Sequence, residues 1–246
     1  MILKTDRSEL LTAPAHDSSP LETELKYAFP AYRTRLAIRL LERFCDPDPA
    51  FPVGVVSSIY YDTRDWALLG EKRNSDYLKM KVRLRWYEQG ESDSAPPDKS
   101  FAEVKSRTGS RRTKIRIPTE YSRDELASME LHDPGLLKIP SALLAAGAPI
   151  RHVLFPSFNI RYSRRRYIDR SSGARIAIDY GITSPKVNKL MLARTFPCVL
   201  GLSVLEVKGP AGEYPLGLRS VFKLGLRREA FSKYYLCYRH LTRTVS

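Results

Sequence analysis

The chain has 246 residues, and 41 Lys and Arg set against 27 Asp and Glu give it a formal net charge of +14, with a sequence pI near 9.8. A balance this basic selects for polyanionic partners, and no apolar run approaches the ~20 residues that span a bilayer as a helix. The length permits one large β-rich domain, while the absence of GxxxxGK[ST], GxGxxG and GxSxG segments excludes the familiar phosphate-loop, dinucleotide and hydrolase scaffolds.

Residues 1–20 are expected to form a loosely ordered lead-in, because Lys4, Asp6, Arg7 and Glu9 interrupt any secretory apolar region. Residues 21–246 read as a single domain without internal repeats. LETELKYAF predicts the first strand; side chains alternate faces along a strand, so Glu22, Glu24 and Lys26 share a side. AYRTRLAIRLLERF (31–44) predicts a helix from its approximate apolar stripe, ended by the three prolines of CDPDPAFP. VVSSIYYDT (55–63) predicts a strand and RDWALLGEKR a short helix or turn.

YLKMKVRLRWY (77–87) places Lys79, Lys81, Arg83 and Arg85 on one face and Met80, Val82, Leu84 and Trp86 on the other. Like charges two residues apart repel, so a row of one sign points to an anionic ligand lying along it. Trp86 and Tyr87 are read as wall and core residues. The polar EQGESDSAPPDKS (88–100) predicts a hairpin loop. FAEVKSR then aligns Glu103, Lys105 and Arg107, and after a turn at SRTGSRR the segment RRTKIRI aligns Arg112, Lys114 and Arg116.

Residues 119–150 break this rhythm and predict a helical insert, with Ser122 and Glu125 in capping-box spacing and a second short helix ended by Gly147 and Pro149. HVLFPSFNIRYSRRRYIDR (152–170) and ARIAIDYGI (174–182) predict strands, the second putting Arg175, Ala177 and Asp179 on one face. A loop with Lys186 and Lys189 leads to SVLEVKGP, where Glu206 and Lys208 share a face, and residues 216–243 predict two helices. For any one strand an ionic side is explained by an open sheet with a solvated face. At least six such strands together predict an α+β fold: a closed barrel with a charged lumen and helices packed outside.

Cys45, Cys198 and Cys237 are isolated, which suggests reduced thiols in the cytosol, and the four scattered histidines give no zinc spacing. Nucleic acid is the default partner for such a charge, but carboxylates stand among the cations at matching parity and would repel its backbone. Phosphate plus divalent metal reconciles both signs, with carboxylates holding Mg²⁺ or Mn²⁺ and Lys and Arg neutralising phosphoryl oxygens.

The ordered set ELKY (24–27), SIYYDT (58–63), VRLRWY (82–87), FAEVKSR (101–107), YSRRRY (162–167), RIAID (175–179), VLEVKG (204–209) and FSKYY (231–235) resembles the VTC domain. That is the polyphosphate polymerase domain of the triphosphate tunnel, or CYTH-like, superfamily. The resemblance implies an eight-stranded antiparallel tunnel in which a divalent metal and ATP serve to extend a polyphosphate chain. By that resemblance Lys26, Arg83, Arg85, Lys105, Arg164, Arg175 and Lys233 match the catalytic phosphate-binding cations and Glu206 the metal-binding glutamate. Tyr60, Ser232, Lys79, Lys81 and Lys208 stand as supporting substrate contacts. Glu103 is expected to form an internal salt bridge. Glu22, Glu24 and Lys26 complete an ExExK, the metal signature of hydrolytic relatives, which keeps open a triphosphatase alternative; a non-catalytic polyphosphate or nucleotide sensor is a second. The implied partners are ATP, pyrophosphate and polyphosphate, in the cytoplasm, with a separate membrane partner for the product as one option; nucleic acid is disfavoured.

Overall fold

A computed structural model describes residues 22–74, 77–88, 99–109, 111–210, 215, 217–228 and 231–243; the lead-in and most of the 88–100 hairpin loop lie outside these residues. The strands are β1 (Glu22–Pro30), β2 (Cys45–Pro47), β3 (Val53–Asp62), β4 (Leu78–Glu88), β5 (Ser100–Thr108), β6 (Arg111–Thr119), β7 (Phe155–Asp169), β8 (Arg175–Ser184), β9 (Cys198–Val199), β10 (Leu202–Pro210) and β11 (Arg227–Arg228). The helices are α1 (Thr34–Leu41), α2 (Ala67–Asn74), α3 (Arg123–Ser128), α4 (Pro134–Leu137), α5 (Ile139–Ala145), α6 (Leu218–Phe222) and α7 (Lys233–Leu241). No helix among the described residues is long and apolar enough to cross a membrane.

All strands join one antiparallel sheet in the order β11-β1-β10-β8-β7-β3-β4-β5-β6, with β2 on β7 and β9 on β8. The closed eight-stranded barrel expected from the sequence is therefore corrected to an open, eleven-stranded sheet. Closure fails at both ends for local reasons. The outer edge of β6 is exposed along most of its length, and among the described residues the free edge of β1 is met only by the two residues of β11, at Tyr27 and Ala28.

The sheet nevertheless curls. Lys105 on β5 interacts electrostatically with Lys208 on β10 and Glu24 on β1, strands that lie several places away along the sheet. Register irregularities between Tyr60 and Tyr61 and between Arg161 and Ser163 bend β3 and β7. Opposite the second of these, Gly181 in β8 adopts φ +60°, a left-handed conformation without a Cβ penalty in glycine.

Pairing shows which side chains share the concave face. Arg83 sits opposite Tyr60 and Tyr60 opposite Phe158; Arg164 opposes Asp179, and Lys26 opposes Glu206. The alternate residues point outward under helices: Val82, Leu84 and Trp86 pack with Leu126, Leu136 and Leu143 of α3–α5, and Phe29, Ile176, Ile178 and Leu205 pack with Ala37 and Leu41 of α1 and Leu218 of α6. Ser122 and Glu125 form a capping box that starts α3. Helix α7, by contrast, lies on the concave side, where Tyr234 and Cys237 join Tyr60, Phe158 and Tyr162 in a third cluster.

These faces differ in their tolerance to change. Ile178→Ala, in a wall position with no solvent exposure, is expected to destabilise by about 2 to 5 kcal/mol. Arg112→Ala on the exposed β6 edge is expected to shift stability by no more than ~0.5 kcal/mol. Urea unfolding midpoints of the two variants measure the contrast.

Candidate functional site

The centre of the concave face is a buried ion cluster. Asp179, with no exposed side-chain surface, receives Arg164 Nε at 2.5 Å and Nη2 at 2.7 Å on its two oxygens, and Lys233 Nζ at 2.5 Å. Glu206 extends the cluster: its Oε2 is 3.2 Å from Arg164 Nη2, and its Oε1 is 3.6 Å from Lys26 Nζ and 3.9 Å from Lys233 Nζ. Lys26 also contacts Glu24 at 3.0 Å. Burial alone would neutralise these carboxyls, but the adjacent Arg164 and Lys233 hold both Asp179 and Glu206 below the ordinary carboxylate range. Burial likewise opposes the ammonium of Lys233, and Asp179, together with Tyr162 and Glu206, more than restores it.

Lys233 is the first residue of α7, where the helix field disfavours a cation. The neighbouring carboxylates make the position tenable, and the ammonium also lies 4.7 Å from the centre of the Tyr162 ring. Ser232 is buried and caps α7, its Oγ accepting a hydrogen bond from the Tyr235 amide at 3.4 Å. It therefore serves first to orient Lys233.

A second cluster spans β3–β6. Arg83 donates to Glu103 from Nε at 2.7 Å and lies 2.6 Å from it through Nη2, while Arg116 Nε is 3.4 Å from the other Glu103 oxygen. Glu103 is thus an internal salt bridge, paired with arginines. Burial raises its pKa, but Arg83 and Arg85 dominate and bring it down to about 2. Arg83 Nη1 also donates to the Tyr60 hydroxyl at 3.4 Å, and Arg85 Nε donates to Ser58 Oγ at 3.1 Å. Tyr60 stacks on Tyr234 with centroids 4.8 Å apart, which ties this cluster to α7.

Beyond these clusters the face carries rungs of one sign. Lys105 stands between Lys81 and Lys114 across β4–β6, as Arg107 stands between Lys79 and Arg112. These rungs set cations side by side on the surface of the trough. Lys105 is accessible to solvent, yet partial burial, followed by Arg83 and Lys208, pushes its ammonium down to about 8. Lys208 and the exposed Arg175 are neighbours on β10 and β8 at one end of the trough.

That end opens into a cavity of about 510 Å³ lined by residues that include Phe51, Tyr87, Phe101, Arg116, Arg164 and Arg166. Trp86 is a wall residue, as expected, whereas Tyr87 faces this cavity. The Arg164–Arg166 run divides by parity: Arg164 and Arg166 turn inward, and Arg165 reaches Glu42 on the outside at 3.3 Å. Sequence reasoning did not place Asp179 among the site residues, although its shared parity with Arg175 was the available signal. Arg166 carried a like signal in its shared parity with Arg164, whereas Phe51 gave none.

Metal binding can be tested against the donor set. Glu24 and Glu206 flank the Lys26 ammonium, and both are held below the usual carboxylate range, Glu206 mainly by Lys233 and Glu24 mainly by Lys26, against the opposing effect of burial. No cluster of three or more potential metal ligands occurs among the described residues. Two anionic oxygen donors without a third fit Mg²⁺ or Mn²⁺ held partly by substrate phosphates and water, the usual mode for Mg²⁺. Glu22 pairs through its backbone with Pro210, but its side chain lies outside the described residues.

Comparison with known proteins gives a match of the VTC domain family model to residues 52–242. No curated protein matches the chain. Two solved structures that it resembles are of candidate adenylate cyclases. The one from Vibrio parahaemolyticus is 13% identical, with 87% of this chain and 96% of that one covered and a TM-score of 0.44. The one from Bacillus halodurans is 13% identical, with 85% and 93% covered and a TM-score of 0.47.

Removing the anion at the centre of the ion cluster leaves Arg164 and Lys233 buried without their shared counter-charge. Asp179→Ala is therefore expected to lower stability by about 3 to 5 kcal/mol, read from chemical denaturation at neutral pH; a loss below ~1 kcal/mol would remove Asp179 from its organising role.

Proposed function

The chain belongs to the VTC domain family, and from that premise we propose that it is a metal-dependent polyphosphate polymerase that transfers the γ-phosphoryl group of ATP to a growing polyphosphate chain. The observation that carries this reading is the concave face itself, on which cations outnumber carboxylates around a buried ionic centre. Phosphoryl transfer passes through a loose transition state with charge spread over peripheral oxygens, so catalysis is chiefly positioning and electrostatic stabilisation. A terminal oxygen of pyrophosphate or of the chain attacks the γ-phosphorus, the bond to the β,γ-bridging oxygen breaks, and ADP leaves.

Holding two polyanions end to end requires many fixed cations. In this reading Lys26, Arg164 and Lys233 surround the reacting phosphoryl group, Arg83 and Arg85 bind flanking phosphates, and Lys79, Lys81 and Lys105 guide the chain. Asp179 and Glu103 keep the arginines in fixed orientations, so little reorganisation is needed when the charge shifts. Glu206 and Glu24 are the residues that would hold Mn²⁺ or Mg²⁺. When bound, the metal supplies further charge neutralisation to phosphoryl oxygens. Each central arginine is expected to contribute roughly 2 to 4 kcal/mol to transition-state stabilisation.

One observation favours a second reading. Glu24 lies with Glu206 beside Lys26, and a second carboxylate on the same face suits activation of water, making the product orthophosphate. Incubation with γ-labelled ATP, Mn²⁺ or Mg²⁺ and pyrophosphate separates the two: a ladder of long phosphate chains, abolished by Glu206→Gln, is the expected outcome. Orthophosphate alone would transfer the assignment to the triphosphatase.

The depressed pKa of Lys105 adds a pH signature. A polyanion favours the ammonium form, so the contribution of Lys105 to binding is complete below about 8 and is lost as pH climbs above it. Tripolyphosphate affinity is expected to fall by up to ~tenfold per pH unit beyond that point. Lys105→Arg is expected to flatten the dependence, and an unchanged slope in a calorimetric titration of that variant would exclude Lys105 as its source.

A further inference from the structure

The cavity at the end of the trough differs in chemistry from the trough. It shares Arg164, Glu206 and Lys208 with the ionic face, so a single ligand can occupy both. Much of its remaining lining is apolar and aromatic, including Phe51, Pro52, Val53, Tyr87 and Phe101. A bare phosphate chain has no apolar surface to bury against such a wall. A ligand with a flat ring at one end and phosphates at the other has both.

Two features are built to meet a ring. Arg116 stacks on Phe101, with its guanidinium carbon 3.6 Å from the ring centroid, and Glu103 holds that guanidinium from the side at 3.4 Å. A guanidinium fixed in this way presents its outer plane for stacking. Phe51, 51% exposed, stands on a loop that is pinned throughout. Asp48 Oδ1 accepts hydrogen bonds from the Ala50 amide at 3.0 Å and the Phe51 amide at 2.8 Å. The Phe51 carbonyl accepts one from Arg166 Nη1 at 2.9 Å, and the Arg166 amide donates to the Pro52 carbonyl at 2.8 Å. An exposed aromatic residue on a fixed loop, lining the same cavity as that guanidinium and the phosphate-binding cations, is preorganised for an aromatic ligand.

We infer that this cavity holds the nucleoside of the phosphoryl donor, its base lying against Phe51 and the Arg116–Phe101 stack while its phosphates run inward past Arg166 to Arg164 and Lys208. The inference rests on the reading of the trough as a triphosphate site. It gives the trough a direction: the nucleoside enters at the aromatic end, and the lysine and arginine rungs of β4–β6 are left for the chain.

The test is calorimetric titration of the wild-type chain and of Phe51→Ala and Arg116→Lys with two probes, inorganic tripolyphosphate and the non-hydrolysable β,γ-imido analogue of ATP. Phe51→Ala removes a ring and no charge, and Arg116→Lys keeps the charge and loses the stacking plane. Each is expected to weaken the nucleotide analogue by about tenfold, the scale of one lost base stack, with tripolyphosphate affinity unchanged within about twofold. Equal losses for both probes, or no loss for the analogue while tripolyphosphate still binds, would overturn the nucleoside assignment and leave the trough reading intact. Failure of the wild-type chain to bind either probe would remove the trough reading and this inference together.

Discussion

Everything on the concave face depends on the burial of one carboxylate, Asp179, between Arg164 and Lys233. A charge taken out of water is tolerable only when its partners are close and well oriented. Asp179 therefore constrains the register of β7 against β8 and the seating of α7 at the same time. Glu206 continues the constraint to β10 and, through Lys26, to β1. The ionic centre acts as a template for the curl of the sheet, and the helices outside supply the apolar burial that holds it.

The division of labour among the acids follows from their surroundings. Asp179 and Glu103 are buried and spend their charge on arginines, so they organise cations. Glu24 is exposed, and Glu206, though buried, lines the cavity at the end of the trough, so these two carboxylates border space that a metal or a substrate can occupy. The net charge of +14 is thus divided unevenly. Carboxylates stand among the cations of the central strands, whereas the β4–β6 rungs align Lys and Arg side by side.

The aromatic residues set the boundaries of this charge. Tyr60, Phe158 and Tyr234 stack in series between the β3 strand and α7, sealing one part of the concave face. At the other end Phe51 and Phe101 border an open cavity instead. The trough is therefore asymmetric along its length, and its two ends suit different parts of a ligand.

What the sequence determined by itself was parity. Alternation along a strand is a property of the backbone and needs no knowledge of neighbours, so the shared face of Arg83 and Arg85, of Lys26 and Glu24, and of Glu206 and Lys208 was legible, as was the capping box at Ser122 and Glu125. The ordered motifs likewise sufficed to indicate the family. Partnership was decided only by the tertiary structure. Asp179 became the organising residue because the β7–β8 pairing sets Arg164 opposite it and the docking of α7 brings Lys233 to it from far along the chain. The sheet stayed open because β6 and β11 end in exposed or very short edges, which residue alternation does not encode. The cavity at the end of the trough was hidden for the same reason: Phe51, Phe101 and Arg166 come from a loop and two separate strands, and only the curl of the sheet brings them together.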